Sequence, residues 1–505
     1  MALESLWRGD LIGRRRVTVE RSASPLEYDA LAYDGPPDPL MHPNRIAAVA
    51  WLMGVDCPAP DRARVLDIGC ATGNHLIPMA YQFPAASFVG IDYSASQIAR
   101  ARSMAEALPL PNLRLEVRDL RNHADLGQFD IIIAHGVYSW VPAEVRRALL
   151  ELCRQHLSPT GVAAIDYNVY PGWRIKQVFR DLAGFHARSN PDLAAATQQS
   201  TQLLDFVAEN LFAPDSAYGQ AIRQMQRGIG QQQLHYLAHE YGAAVNEPCL
   251  YADFVAEARG TGMQVAGDVQ FAQAMPPHMA GKVEPMLDQF AGEDPVQREQ
   301  YLDFLRGREF RRTLLTLEGS AMAAQPLAGA LQRLHFSTGA TAEPSGAHTV
   351  YRCPDGTGLR TNDPGVCRVM DGLCAAAPTA MSFAAAAGLM RGSAGSPEKT
   401  GEMLLSLVQT GLVRIHASPP RVAGVTERPR ANGVARLEAA LGRSSVTSMH
   451  HQAWGIDAAL RGVIPLLDGT RNRAGILAES AGGELSELAL GRMLTWLGQA
   501  GILDG

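Results

Sequence analysis

Between Arg64 and Tyr167, short β-branched runs alternate with amphipathic stretches, and no other feature constrains the fold of this chain as much. Strands that alternate with helical segments give a parallel sheet with helices on both faces. The pattern predicts strands over 64–68, 87–91, 113–118, 129–134 and 161–167. It predicts helices beginning near Gly73, Ser94 and Val141, the last two favoured by a Ser cap and by Pro142 in the first turn. The expected class is α/β, a doubly wound sheet.

After Tyr167 the alternation stops. Residues 176–237 are rich in Gln and Ala with helical spacing, which predicts a helical insertion. The insertion interrupts the sheet domain beside the carboxyl ends of its strands, where open α/β sheets bind ligands. Alternation then resumes with a helix over 251–260 and strands over 263–269 and 310–317. At 505 residues the chain is too long for one ordinary domain. The predicted division is a leading segment (1–45), the sheet domain (46–175), a helical insertion serving as lid or dimer surface (176–250), completion of the sheet (251–320), a middle domain (321–420) and a linker with a last domain (421–505). The last two share a repeat. Gly401-Glu402-Met403-Leu404-Leu405 through Gly411-Leu412-Val413 is echoed by Gly491-Arg492-Met493-Leu494-Thr495 through Gly501-Ile502-Leu503, each a helix ended by Gly and followed by a short apolar strand. That is the helix-plus-wing pattern of a winged-helix module.

Composition narrows the partners. With 47% hydrophobic and 19% charged residues the chain reads as globular, and its net charge of -6 creates no overall field to gather nucleic acid. The repeated helices carry only Arg492 as a basic residue, so groove binding is not expected. Residues 1–22 lack the apolar run of an export signal, and the alanine-rich stretch 373–390 is too weakly apolar to span a membrane. A cytoplasmic protein without membrane insertion is expected. Seven scattered cysteines suit reduced thiols, and His235 with His239 lacks the H-E-x-x-H order, so no metal is expected.

The chemistry concentrates in Val65-Leu66-Asp67-Ile68-Gly69-Cys70-Ala71-Thr72-Gly73-Asn74. Gly69, Ala71 and Gly73 let the backbone approach a ligand closely, ahead of a helix N-terminus. The dinucleotide pattern G-x-G-x-x-G fails, because Ala71 stands two after Gly69 and Asn74 three further on. Asp67 would repel a pyrophosphate but suits an ammonium, which favours S-adenosylmethionine (SAM), with S-adenosylhomocysteine as product, over NAD. After the second strand Asp92 can accept hydrogen bonds from both ribose hydroxyls, with Tyr93 and Gln97 beside it. After the third, Asp119 can accept from the adenine amino group, with Leu120 against the ring. His135 follows the fourth strand and completes the expected cofactor set.

The D-x-G-x-A-x-G turn, G-I-D and R-D-L together resemble the SAM-dependent methyltransferases of the Rossmann-like class. A narrower resemblance runs through Tyr28–Tyr33, Met41–Arg45, Ala134–Pro142, Tyr167–Trp173, His239–Tyr241, Val245–Pro248 and Glu309–Leu315. It is to the bacterial methyltransferases that carry a methyltransferase regulatory domain, a group that includes rickettsial outer-membrane-protein lysine methyltransferases. The resemblance implies N-methylation of protein lysine, with the leading segment covering the site. Acceptor contacts are expected from Tyr33, His42, Tyr138, Trp140, Asn168, Tyr170 and Trp173, since aromatic faces suit a sulfonium or methylated ammonium. The base stays open among His135, Tyr138 and Tyr167. A small-molecule O- or N-methyltransferase and a SAM-sensing winged-helix regulator are the alternatives. A homodimer through the insertion is a further expectation.

Overall fold

A computed structural model describes residues 34–186, 192–230, 232, 234–271, 277–390, 396–480 and 485–504. Tyr33, with the rest of the Tyr28–Tyr33 motif, lies outside the described residues. The β-branched runs form β1 (Arg64–Ile68), β2 (Ser87–Asp92), β3 (Leu113–Val117), β4 (Phe129–Ala134), β5 (Leu157–Asn168), β6 (Met263–Asp268) and β7 (Phe310–Leu317). They make one seven-stranded sheet in the order β3-β2-β1-β4-β5-β7-β6. The first five strands are parallel, and β7 runs antiparallel to both β5 and β6. The last strand in sequence is thus an inner strand. Thr313 to Thr316 of β7 are continuously buried, whereas β6 is half exposed and bulged between Val265 and Gly267, which suits an edge.

Successive side chains on a strand face opposite sides, and this splits the interior in two. Val65, Phe88, Ile131, Ile133 and Leu314 join one core, while Leu66, Val89, Ile132, Ile165 and Leu315 join the other. On the first face helix Pro43–Leu52 lies between the sheet and the middle of the chain. It is apolar nearly all round, as a helix buried on every side must be. On the second face helices Ala143–His156 and Tyr251–Gly260 supply Leu149, Cys153, Phe254 and Val255.

After β5 come helices Trp173–His186, Leu193–Glu209, Ala217–Ile229 and Leu234–Gly242, with a small core of their own around Phe179, Ile222 and Tyr241. In the middle of the chain His335–Ser337 pairs antiparallel with Met381–Ser382 and Arg414–His416. Both copies of the repeat are helices, Pro397–Gln409 and Glu487–Gln499, stopped at Gly411 and Gly501 with φ of 83° and 68°. The first continues into a strand; after the second, Leu503 makes only an isolated bridge to Ala431. The last region packs on the sheet domain: Gly433 seats against Tyr81, whose hydroxyl donates to Asp504 at 2.8 Å.

Candidate active site

The turn after β1 holds three residues in the left-handed region in alternation, Gly69 (φ 72°), Ala71 (φ 47°) and Gly73 (φ 78°). A Cβ on Gly69 would meet Val137 Cγ2 at 2.6 Å and one on Gly73 would meet Ile77 Cδ1 at 2.8 Å, so both positions need glycine for space as well as conformation. Ala71 lacks that freedom, and its N–H is pinned instead, donating to Asp92 Oδ2 at 2.9 Å. The N–H of Ser94 donates to Asp92 Oδ1 at 2.8 Å. The Asp92 carboxylate is therefore fixed by the turn after β1 and by its own turn before any ligand arrives.

Above the turn opens a cavity of about 750 Å³. Asp67, Gly69, Ala71, Asp92, Tyr93, Gln97, Asp119, Leu120, His135, Trp140 and Asn168 all line it. Gly73 lies beneath, packed on helix Leu76–Gln82. Asp67 is 2% exposed and its Oδ2 has no hydrogen-bond partner among the described residues. Burial, helped by the charges of Asp92 and Asp166, pushes its carboxyl up to about 7. An unpartnered buried carboxylate is costly, and a cationic ligand group facing it would remove that cost. The residues therefore fit SAM: Asp67 would hold its ammonium, Asp92 its ribose hydroxyls and Leu120 its adenine. Asp119 differs from expectation, for Arg121 closes a fork on both its oxygens at 2.6 to 3.1 Å. That pairing holds Asp119 below its ordinary range and occupies lone pairs an adenine amino group would use.

Several expected acceptor residues lie elsewhere. Tyr138 and Tyr167 are buried against Phe254 in the core beneath β5, their hydroxyls bonded to Glu257 and Thr313. Burial raises both phenols far above their usual range, so neither is placed to act as a base. Trp173 is 0% exposed and opens a helix, stacked on Tyr241 instead of standing in a loop. Tyr170 stacks under the Arg174 guanidinium at 3.9 Å and is not part of the cavity wall. His42 caps helix Pro43–Leu52, and burial drops its imidazole to about 3. His135 does reach the cavity, but its Nδ1 is paired with Asp166. Burial disfavours its charge, yet the carboxylates of Asp166 and Asp38 prevail and raise it to about 9. It is held cationic at neutral pH, the wrong state for a base.

The residues missed from sequence come from the opposite wall. Asp166 accepts from Gly136 N at 2.7 Å, and Arg312, its partner across β5 and β7, pairs with Asp38 at 2.7 Å. Arg312 lines the cavity, as do Lys176, Tyr236, His239, Glu240 and Phe310; His75 also lines it, but from the cofactor side, at the start of helix Leu76–Gln82. Strand parity was the available signal: Asp166 and Asn168 share a face, and Tyr167 between them cannot join them. The cofactor wall is also braced from afar. Arg443 donates to Asn74 Oδ1 at 2.8 Å, and His451 Nε2 bonds His75 Nδ1 at 2.9 Å. Because the N–H of Asp38 also points at His75 Nδ1, at 3.4 Å, that nitrogen is the acceptor and His451 donates.

Residues 65–161 match the family described as "Methyltransferase domain", 233–316 "Predicted methyltransferase regulatory domain", and 427–484 "PKMT, C-terminal winged helix domain". The chain is 31% identical over 242 residues to the uncharacterized protein RP028 of Rickettsia prowazekii, covering 47% of this chain and 96% of that one. It is 35% identical over 289 residues to RP789 of the same organism, covering 57% of this chain and 52% of that one, so it spans about half of RP789. PKMT2 from Rickettsia typhi, solved in complex with AdoHcy, shares the fold: its TM-score is 0.82 over 94% of this chain and 100% of that one, at 22% identity. The chain belongs to the SAM-dependent, class I methyltransferases that carry a methyltransferase regulatory domain.

Proposed function

We propose that the protein transfers the methyl group of SAM to a lysine side chain of a protein acceptor. The observation that carries the reading is the unpartnered Oδ2 of buried Asp67, set beside the fixed carboxylate of Asp92 on one cavity wall. When bound, SAM supplies a methyl group made electrophilic by its sulfonium. Trp140, Asn168 and the helix Leu234–Gly242 wall the same cavity, and they would align an acceptor there and keep water out. Lysine is favoured because the acceptor wall carries a buried carboxylate, Glu240. The match of 427–484 to the PKMT winged-helix family and the fold shared with PKMT2 support the same acceptor. Among the described residues no helix is long and apolar enough to cross a membrane.

The test is calorimetric titration of SAM into cofactor-free protein, followed by transfer of labelled methyl groups into a lysate split into protein and small-molecule fractions. Binding with label on protein lysine is expected. Label confined to small molecules would replace the acceptor, and a folded sample that bound no SAM would sink the whole reading.

A further inference from the structure

The regulatory segment contributes to the cavity a carboxylate that no described residue meets in an ion pair. Glu240 lies on helix Leu234–Gly242, which packs against helix Trp173–His186, and with Tyr236 and His239 it forms the cavity-facing side of its helix. It is 7% exposed. The cations nearest to it are committed elsewhere. Lys176 Nζ pairs with Glu309 at 3.0 Å and lies over the Trp173 ring. Arg180 donates to the carbonyls of Tyr241 at 3.2 Å, Ala243 at 2.8 Å and Ala244 at 3.4 Å. Among the described residues Glu240 forms no ion pair, and its side-chain partner is Tyr236.

A buried carboxylate without a counter-ion is a binding site for one. From this geometry we propose that Glu240 receives the ammonium of the acceptor side chain and takes its proton, an inference that rests on the lysine reading above. One proton passes from the ammonium to the Glu240 carboxylate, which becomes neutral. The freed lone pair on nitrogen forms a bond to the methyl carbon as the carbon–sulfur bond breaks, and that bond's electron pair stays on sulfur. The methylated nitrogen carries the positive charge away, and Glu240 returns its proton to water.

The electrostatics suit this exchange. Burial, with the negative charge of Glu309, works against ionisation, while Lys176, Tyr236 and Arg180 favour it; Glu240 settles at about 7. A proton acceptor poised near neutrality is what this step needs. It also divides the labour in the cavity, since His135 is cationic and Tyr138 and Tyr167 are out of reach.

The experiment compares wild type, Glu240→Gln and Glu240→Asp at saturating SAM, with label located on lysine by hydrolysis of the lysate protein. Glu240→Gln should bind SAM within about twofold of wild type yet lose roughly 100-fold in kcat/KM at pH 7. The gap should close to about tenfold by pH 10, where free amine accumulates, and Glu240→Asp should recover part of the loss. A merely structural defect would not narrow with pH. Titration of N-acetyl-lysine methyl ester against N-acetyl-norleucine methyl ester, with S-adenosylhomocysteine present, gives a readout without turnover: the lysine preference should vanish in Glu240→Gln. If the glutamine variant fails to fold, the wild-type profile decides, because kcat/KM must rise through an apparent pKa near 7. Retention of activity within about threefold in Glu240→Gln, or a flat wild-type profile, overturns the proposal while lysine methylation stands. Wild type that labels no lysine overturns the lysine reading itself.

Discussion

The two walls of the cavity are built by opposite strategies. The cofactor wall is local: Asp67, the turn through Gly73 and Asp92 span fewer than thirty residues, and the carboxylate of Asp92 is oriented by amides of its own loops. The acceptor wall is assembled from far apart, with Asn168 and Lys176 from one stretch, Tyr236 and Glu240 from another, and Phe310 and Arg312 from the strand inserted last. A local wall carries the feature shared across a class, a common cofactor. A dispersed wall can change its acceptor without disturbing the first.

The contrast can be broken most severely at Trp173. Trp173→Ala removes a fully buried side chain on the acceptor side and should lower stability by about 3–5 kcal/mol. SAM affinity of the folded fraction should be unchanged; denaturant melts with calorimetry would separate the two. Asp67→Asn makes the opposite exchange. It should weaken SAM by about 1.5–3 kcal/mol, the range for a hydrogen bond to a charged group. The cofactor-free protein should meanwhile lose a pH dependence. Asp67 titrates near 7 when folded against 3.8 ordinarily, so its contribution to stability is complete below pH 3.8 and disappears as the pH rises through about 7. Melts from pH 5 to 8 should therefore fall less steeply in Asp67→Asn than in wild type, and equal slopes would remove the assignment.

Asp92→Ala should weaken SAM by about 1–3 kcal/mol with little change in acceptor KM. A shift confined to the acceptor would mean the walls are not separate. The smallest effect is expected at the remote brace: Arg443→Ala should weaken SAM by about 0.5–1.5 kcal/mol through loss of its bond to Asn74. Unchanged affinity would make that contact packing alone.

How much could be read from sequence follows the same division. The sheet through its fifth strand was legible because β-branched runs and turn residues recur at short range, and so were the acids at strand ends. Helix starts were read two or three residues early, at Gly73 against Leu76 and at Val141 against Ala143, because the turn and Pro142 precede the first helical bond. The inner position of β7 was not legible, since strand order depends on contacts more than a hundred residues apart. Of the aromatic rings expected at the acceptor, Trp140 lines the cavity and others do not. Tyr138, Tyr167 and Trp173 are large apolar side chains first, and the core claimed them. Asp166 carries no motif, and Arg312 and Glu240 stand in family motifs that assign them no place at the site, because a buried charge has no local signature; only the fold reveals what surrounds it.

The bond from His451 to His75 and the one from Arg443 to Asn74 join residues 376 and 369 positions apart. On a ribosome this separation becomes time. The turn after β1 leaves the exit tunnel early, but its two distant braces emerge only after the insertion, the rest of the sheet and the middle of the chain. A nascent chain must keep an unbraced cofactor loop while the residues between are made, and the site reaches its final form only after them.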